Sequence, residues 1–137
     1  MENKIKFLEI IQNLIMRMAT NSFILKGWAV TLVAGTFALS NKESDNLFFL
    51  ISYIPIILFW FLDSYYLQLE RKYRSLYNNT LEKSDNEIDF KITVLPSNAE
   101  DNTCFYQSVF SCTEIGFYLP MALLIAIIII LSSIYVI

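Results

Sequence analysis

Hydrophobic and polar positions alternate along this chain in long blocks, and each block has its own period. Residues 1–22 carry apolar side chains at helical spacing: Ile5, Leu8, Ile11, Ile15 and Met18 form a stripe that Phe7, Leu14 and Ala19 widen. Glu2, Lys6, Glu9, Asn13, Arg17 and Thr20 take the opposite side, so the pattern predicts an amphipathic helix. Such a helix either lies on a bilayer surface or packs against another apolar stripe. From Phe23 the pattern changes to an apolar run, FILKGWAVTLVAGTFAL, about 25 Å long as a helix and near the lower limit for a membrane span. A polar turn over 41–46 separates it from a second apolar run, Leu47 to Leu62, which has no charge. Pro55 lies inside that run and removes one helical hydrogen bond, to residue 51.

The second run passes without a visible break into a charged stem. Leu62, Tyr65, Tyr66, Leu69, Tyr73, Leu76 and Tyr77 recur at steps of three and four, with Asp63, Gln68, Glu70, Arg71, Arg74 and Ser75 between them. The stem seam is therefore read as Leu62, Tyr66, Leu69, Tyr73 and Leu76, facing away from water. Polar turn signals follow at Asn78–Thr80 and Ser84–Asn86. Glu87 to Leu95 then alternates strictly, Ile88, Phe90, Ile92 and Val94 against Glu87, Asp89, Lys91 and Thr93, which predicts a short strand near 87–95. A short amphipathic piece, with Phe105, Tyr106, Val109 and Phe110 in helical spacing, leads to the last apolar block, Ile115 to Ile137. Pro120 falls near the start of that block, where a missing first-turn N–H is harmless.

The fold class expected is an all-α membrane protein with three transmembrane helices, an N-terminal amphipathic helix, a cytosolic helical stem and one short β-strand. Its segments are an N-terminal helix over 1–22, spans over 23–40, 47–66 and 115–137, an external turn over 41–46, and a cytosolic stem and loop over 67–114. Composition agrees: 55% of the 137 residues are hydrophobic, with only three glycines and three prolines. Charge sets the orientation. Nine of the ten basic residues fall in 1–26 and 71–91, and only Lys42 lies in the short turn. Basic residues collect in the cytosol, so the N-terminus and stem belong there and the C-terminus lies outside a bacterial inner membrane.

Candidate chemistry is sparse. The chain contains no histidine, which removes Ser-His and Cys-His nucleophiles and histidine metal sites. No glycine-rich phosphate loop occurs, and an intramembrane aspartyl hydrolase needs two facing carboxylates where only Asp63 lies near membrane depth. Cys104 and Cys112 are read as buried small apolar residues of a reducing compartment. No catalytic residue, metal ligand or cofactor is assigned, so the chain is not read as an enzyme, and a net charge of −3 argues against a nucleic-acid partner.

Two polar or small-residue features remain. Gly27, Thr31 and Gly35 fall four apart with Ala34 and Ala38 beside them, a helix-packing face of the kind that lets membrane helices approach closely. Lys26 and Asp63, opposite charges inside two spans, stand at similar distances from the turn centre near Glu43. An antiparallel hairpin brings them within about one helical turn of each other. Either they pair, or Lys26 extends its ammonium to water at the interface.

At Arg17-Met18-Ala19-Thr20-Asn21-Ser22-Phe23, Lys26-Gly27-Trp28, Leu62-Asp63, Glu70-Arg71 and Leu76-Tyr77, the chain resembles small bacterial inner-membrane proteins with a two-helix hairpin and a cytosolic extension. Some of these are linked to anti-phage conflict systems. The resemblance covers about the first 80 residues, and the third span departs from it. It implies a pore-forming or membrane-perturbing homo-oligomeric effector in the lipid bilayer and carries over no functional residue. The alternative is a membrane-anchored adaptor that docks a cytosolic protein partner through the 78–114 loop.

Overall fold

The computed structural model describes residues 1–40, 46–93 and 103–135. Helix α1 runs unbroken from Glu2 to Ala38, 37 residues, or about 55 Å at the helical rise. The expected change at 22/23 is therefore a change of composition within one helix. Helix α2 (Asn46–Leu50) leads through a tight turn into α3 (Tyr53–Glu82), which joins the second apolar run to the stem. A 3₁₀ turn at Asp85–Glu87, the short helix α4 (Phe105–Val109) and the long α5 (Cys112–Tyr135) complete the order. Two stretches, Leu47–Glu82 and Cys112–Ile134, are long and apolar enough to cross a membrane.

Helices α1 and α3 form an antiparallel pair with constant register. Lys4 bonds the carbonyls of Leu81 and Lys83 at one end, Ser22 meets Asp63 in the middle, and beyond the other end of α3 Phe37 packs on Phe49 of α2. The inner face of α1 steps by threes and fours from Phe7 and Ile11 to Ala29 and Val33. Its N-terminal half thus packs against the stem, with Met1 paired to Asp85 at 2.6 Å. Helix α5 lies antiparallel to α3 over its apolar half. The shared core is Ala29, Val33, Ile56, Tyr118 and Ile125, edged by Tyr53, Phe59, Trp60 and Met121.

Three local expectations are corrected. The 87–95 strand is absent from its described part, 87–93. Ser84 and Glu87 form a capping box instead, the Glu87 carboxylate accepting from the Ser84 amide at 3.4 Å. Beyond it, the Lys91 amide bonds Asp89 and the Thr93 amide bonds Lys91, so these amides point to their own neighbours and not to a second strand. Phe90 rests edge-on against Phe7 of α1. Residues 94 and 95 lie outside the described residues, as does most of the 41–46 turn.

The prolines also exchange roles. Pro55 is the third residue of α3, and the helix breaks just before it, at Ile51–Ser52. A ring at position 55 clashes with the carbonyl four residues back, so the break falls where that strain would arise. Pro120, by contrast, is interior, because α5 begins at Cys112 and not at 115. Its missing N–H leaves the Gly116 carbonyl without a helical donor.

The cysteines are less buried than expected, Cys104 partly covered and Cys112 exposed. Cys104 stands at the N-cap of α4, and Cys112 opens α5 on the side away from the core.

Candidate functional site

Three helices meet at one polar cluster, a third of the way along α3. Helix α1 supplies Ser22 and Lys26, one turn apart on its inner face. Helix α3 supplies Asp63, and α5 supplies Glu114 and Tyr118, again one turn apart. Spacings of four residues stack side chains on one face of a helix, so each outer helix presents a pair.

Asp63 is wholly buried and takes three donors. Ser22 Oγ donates to Oδ1, Lys26 Nζ donates to Oδ2, and the Tyr118 hydroxyl donates to Oδ2 at 3.0 Å. Lys26 Nζ also donates to Ser22 Oγ at 3.0 Å and to Glu114 Oε1 at 3.0 Å. The lysine side chain is only 15% exposed, so its ammonium does not extend to water. It lies 5.8 Å from the Phe117 ring centre and 5.9 Å from that of Tyr118, close enough for cation–π attraction. Trp60 stacks on Tyr118 with centroids 6.1 Å apart and donates its indole N–H to the Val109 carbonyl at 3.0 Å. Aromatic rings thus wall the cluster on the side of the core.

Glu114 is as buried as Asp63, 1% exposed, yet poorly supplied with donors. Its backbone amide is capped by Ser111 Oγ at 3.3 Å, which makes Ser111 the cap of α5 and sets Glu114 in the first turn. A carboxylate there is favoured by the helix dipole. Its Oε1 meets Lys26, and its Oε2 has no hydrogen-bond partner.

Below the cluster, α3 holds α4 in place: Gln68 Nε2 donates to the Thr103 carbonyl at 3.0 Å, and Ser64 bonds back to the Trp60 carbonyl. The described residues include no group of three or more acidic, Cys or His side chains arranged to hold a metal ion.

The structure brings Lys26 and Asp63 together and adds three partners that sequence reading missed: Ser22, Glu114 and Tyr118. Glu114 was readable from Ser111-Cys112-Thr113-Glu114, an S-x-x-E cap that starts a helix at 112. The packing face does not meet another helix of the chain. Gly27, Thr31, Ala34, Gly35 and Ala38 are all exposed, and a Cβ built on Gly27 or Gly35 meets nothing within 4 Å. The stem seam differs along its length. Tyr66, Leu69, Tyr73 and Leu76 are half-buried, whereas Leu62 and Tyr65 are 45% and 49% exposed. Their places inside are taken by Asp63, Ser64 and Gln68, residues expected on the wet face.

No protein-family model matches the chain, nor does any curated protein or solved structure.

Proposed function

We propose that this chain is a homo-oligomeric integral membrane protein of the bacterial inner membrane, acting as a pore-forming or membrane-perturbing effector of a defence system. The observation that carries the reading is the small-residue ridge Gly27–Thr31–Gly35, which points outward and is left unfilled by the chain's own helices. In lipid, where apolar tails supply no drive for helices to associate, such ridges let two backbones approach and gain close packing. The Thr31 hydroxyl bonds back to the Gly27 carbonyl at 2.8 Å, so the ridge exposes no unmet donor to lipid.

The pairing supports a reading with three crossings. The Phe23–Ala38 half of α1 runs alongside the apolar half of α3 and then α2, from the Lys26–Asp63 contact to the Phe37–Phe49 contact. If α3 crosses, that half of α1 crosses beside it, and α5 returns parallel to α1. With nine basic residues against one, the cytosol receives the N-terminus and stem. The ionic cluster then sits at the cytosolic edge, about 24 Å from the outer end of the Leu47 run.

Native mass measurement in nanodiscs, together with ion flux from liposomes, tests the reading. A discrete oligomer that conducts is expected, and Gly27→Leu with Gly35→Leu should return it to monomer while leaving the fold of each chain intact. A wild-type monomer overturns the reading. A non-conducting oligomer turns it into a membrane adaptor.

A further inference from the structure

We propose that Glu114 holds a proton on Oε2 inside the bundle, leaving Asp63 as the carboxylate that pairs with Lys26. The inference goes beyond the effector reading and does not depend on subunit number, because every group involved belongs to one chain.

Charge balance is the first argument. One ammonium faces two carboxyls, all three at least 85% buried in their side chains. With both acids ionised the cluster would carry a net negative charge in a place where solvation is poor, and isolated buried charges are costly. The groups facing Glu114 are Ser22 and Lys26 from α1, Asp63 from α3 and Tyr118 from α5. Among these described residues only Lys26 is cationic, so no second cation offsets the excess charge.

The division of donors decides which acid holds the proton. Asp63 accepts from Ser22, Lys26 and Tyr118, so both of its oxygens already have donors. Glu114 shares the same lysine through Oε1 alone, while Oε2 is buried and unpartnered. An ionised oxygen there would be an acceptor without a donor. As an O–H it becomes a donor, and the Asp63 carboxyl is held on the same Lys26 ammonium as Glu114. One proton therefore satisfies the orphaned atom and neutralises the cluster. Two close carboxyls sharing one proton is a recurring solution to this problem.

Infrared spectroscopy of the full-length chain in nanodiscs tests the assignment. At neutral pH the wild type should show one protonated-carboxyl C=O band that shifts in heavy water. Carboxyl-¹³C glutamate labelling should move that band, ¹³C-aspartate labelling should leave it, and Glu114→Gln should abolish it. The labelling arms need no substitution, so a folding failure in the variant does not remove the test. The proposal is overturned by the absence of such a band, as would follow if an inorganic cation balanced the cluster. It is equally overturned if the band moves with labelled aspartate or survives Glu114→Gln.

Discussion

Lys26 is the keystone of the cluster, and removing it should cost more than removing either acid. In Lys26→Met, Asp63 keeps Ser22 and Tyr118 but loses its ion pair, and Glu114 loses its only side-chain partner among the hydrogen bonds described. Breaking a buried pair from one side leaves an uncompensated charge, worth about 3–5 kcal/mol. At about 1.4 kcal/mol per factor of ten, that shifts the folding equilibrium at least a hundredfold. Asp63→Asn is milder, about 1–3 kcal/mol, because Lys26 retains Glu114 at 3.0 Å while the new amide oxygen still accepts from its neighbours. The double variant should fall short of the summed losses by about 0.5–3 kcal/mol, the range for residues in one network. Rescue stays partial because Glu114 is still buried without its lysine. Adding Glu114→Gln should recover more.

Reversible unfolding in mixed micelles with increasing SDS measures these differences, with tryptophan fluorescence as the readout. Trp60 is a local reporter, stacked on Tyr118 within the cluster's wall. The reasoning fails if Lys26→Met loses under about 0.5 kcal/mol, or if the losses add within that margin, since independent sites behave so.

Two further outcomes follow from the packing. Leu69→Asp with Leu76→Asp places charges on half-buried positions of the stem, and should release the N-terminal half of α1 to protease while leaving the apolar halves paired; unchanged digestion of 1–22 and 67–82 would show that the seam does not hold the stem. Cys112 is exposed at the start of α5, so a membrane-impermeant maleimide should label it from the cytosolic face of the membrane and leave the outer face unreactive; labelling from outside would reverse the orientation.

How much of this arrangement is legible in the sequence depends on which rule governs each position. The α1–α3 register was readable because a hairpin fixes depth by counting from its turn, and Lys26 and Asp63 count to nearly the same depth. Glu114 was not, because an acid one residue before an uncharged run reads as loop. Its S-x-x-E box was the missed signal, and the same box at Ser84–Glu87 would have ended the 87–95 strand before it began. Identical four-residue patterns have different outcomes: Glu87 turns back to its own cap, and Glu114 reaches across to Lys26. Only the tertiary partner distinguishes them. The stem seam misled for a different reason. Its exposed members, Leu62 and Tyr65, lie at the end of the apolar run, and the rule that apolar residues lie inside applies to helices with water as the outer phase.

The cluster and the surface around it belong to one arrangement. On α5, Leu119, Leu123, Leu124, Ile127, Ile130, Leu131 and Ile134 are all exposed, while Glu114 and Tyr118 of the same helix are buried. On α3, Ile54, Ile57, Leu58, Phe61 and Leu62 face outward while Asp63 and Ser64 face in, as does Ser52 just before the helix. A water-soluble protein with so large an apolar exterior would aggregate. In a bilayer the same exterior is at ease, and polar groups gain by turning inward to each other. The polar interior then does what an apolar core does in water, holding helices together with directional bonds because hydrophobic burial cannot. On this argument the cluster is the main fastening of α5 to the hairpin, since Glu114 and Tyr118 are the side chains through which α5 reaches Lys26 and Asp63. Substituting the outward leucines of α5 by alanine should leave the bundle assembled in micelles, whereas Tyr118→Phe, which deletes a single hydroxyl bonded to Asp63 at 3.0 Å, should loosen α5 measurably. If the leucine variants release α5 and Tyr118→Phe does not, apolar packing and not the cluster holds the third helix.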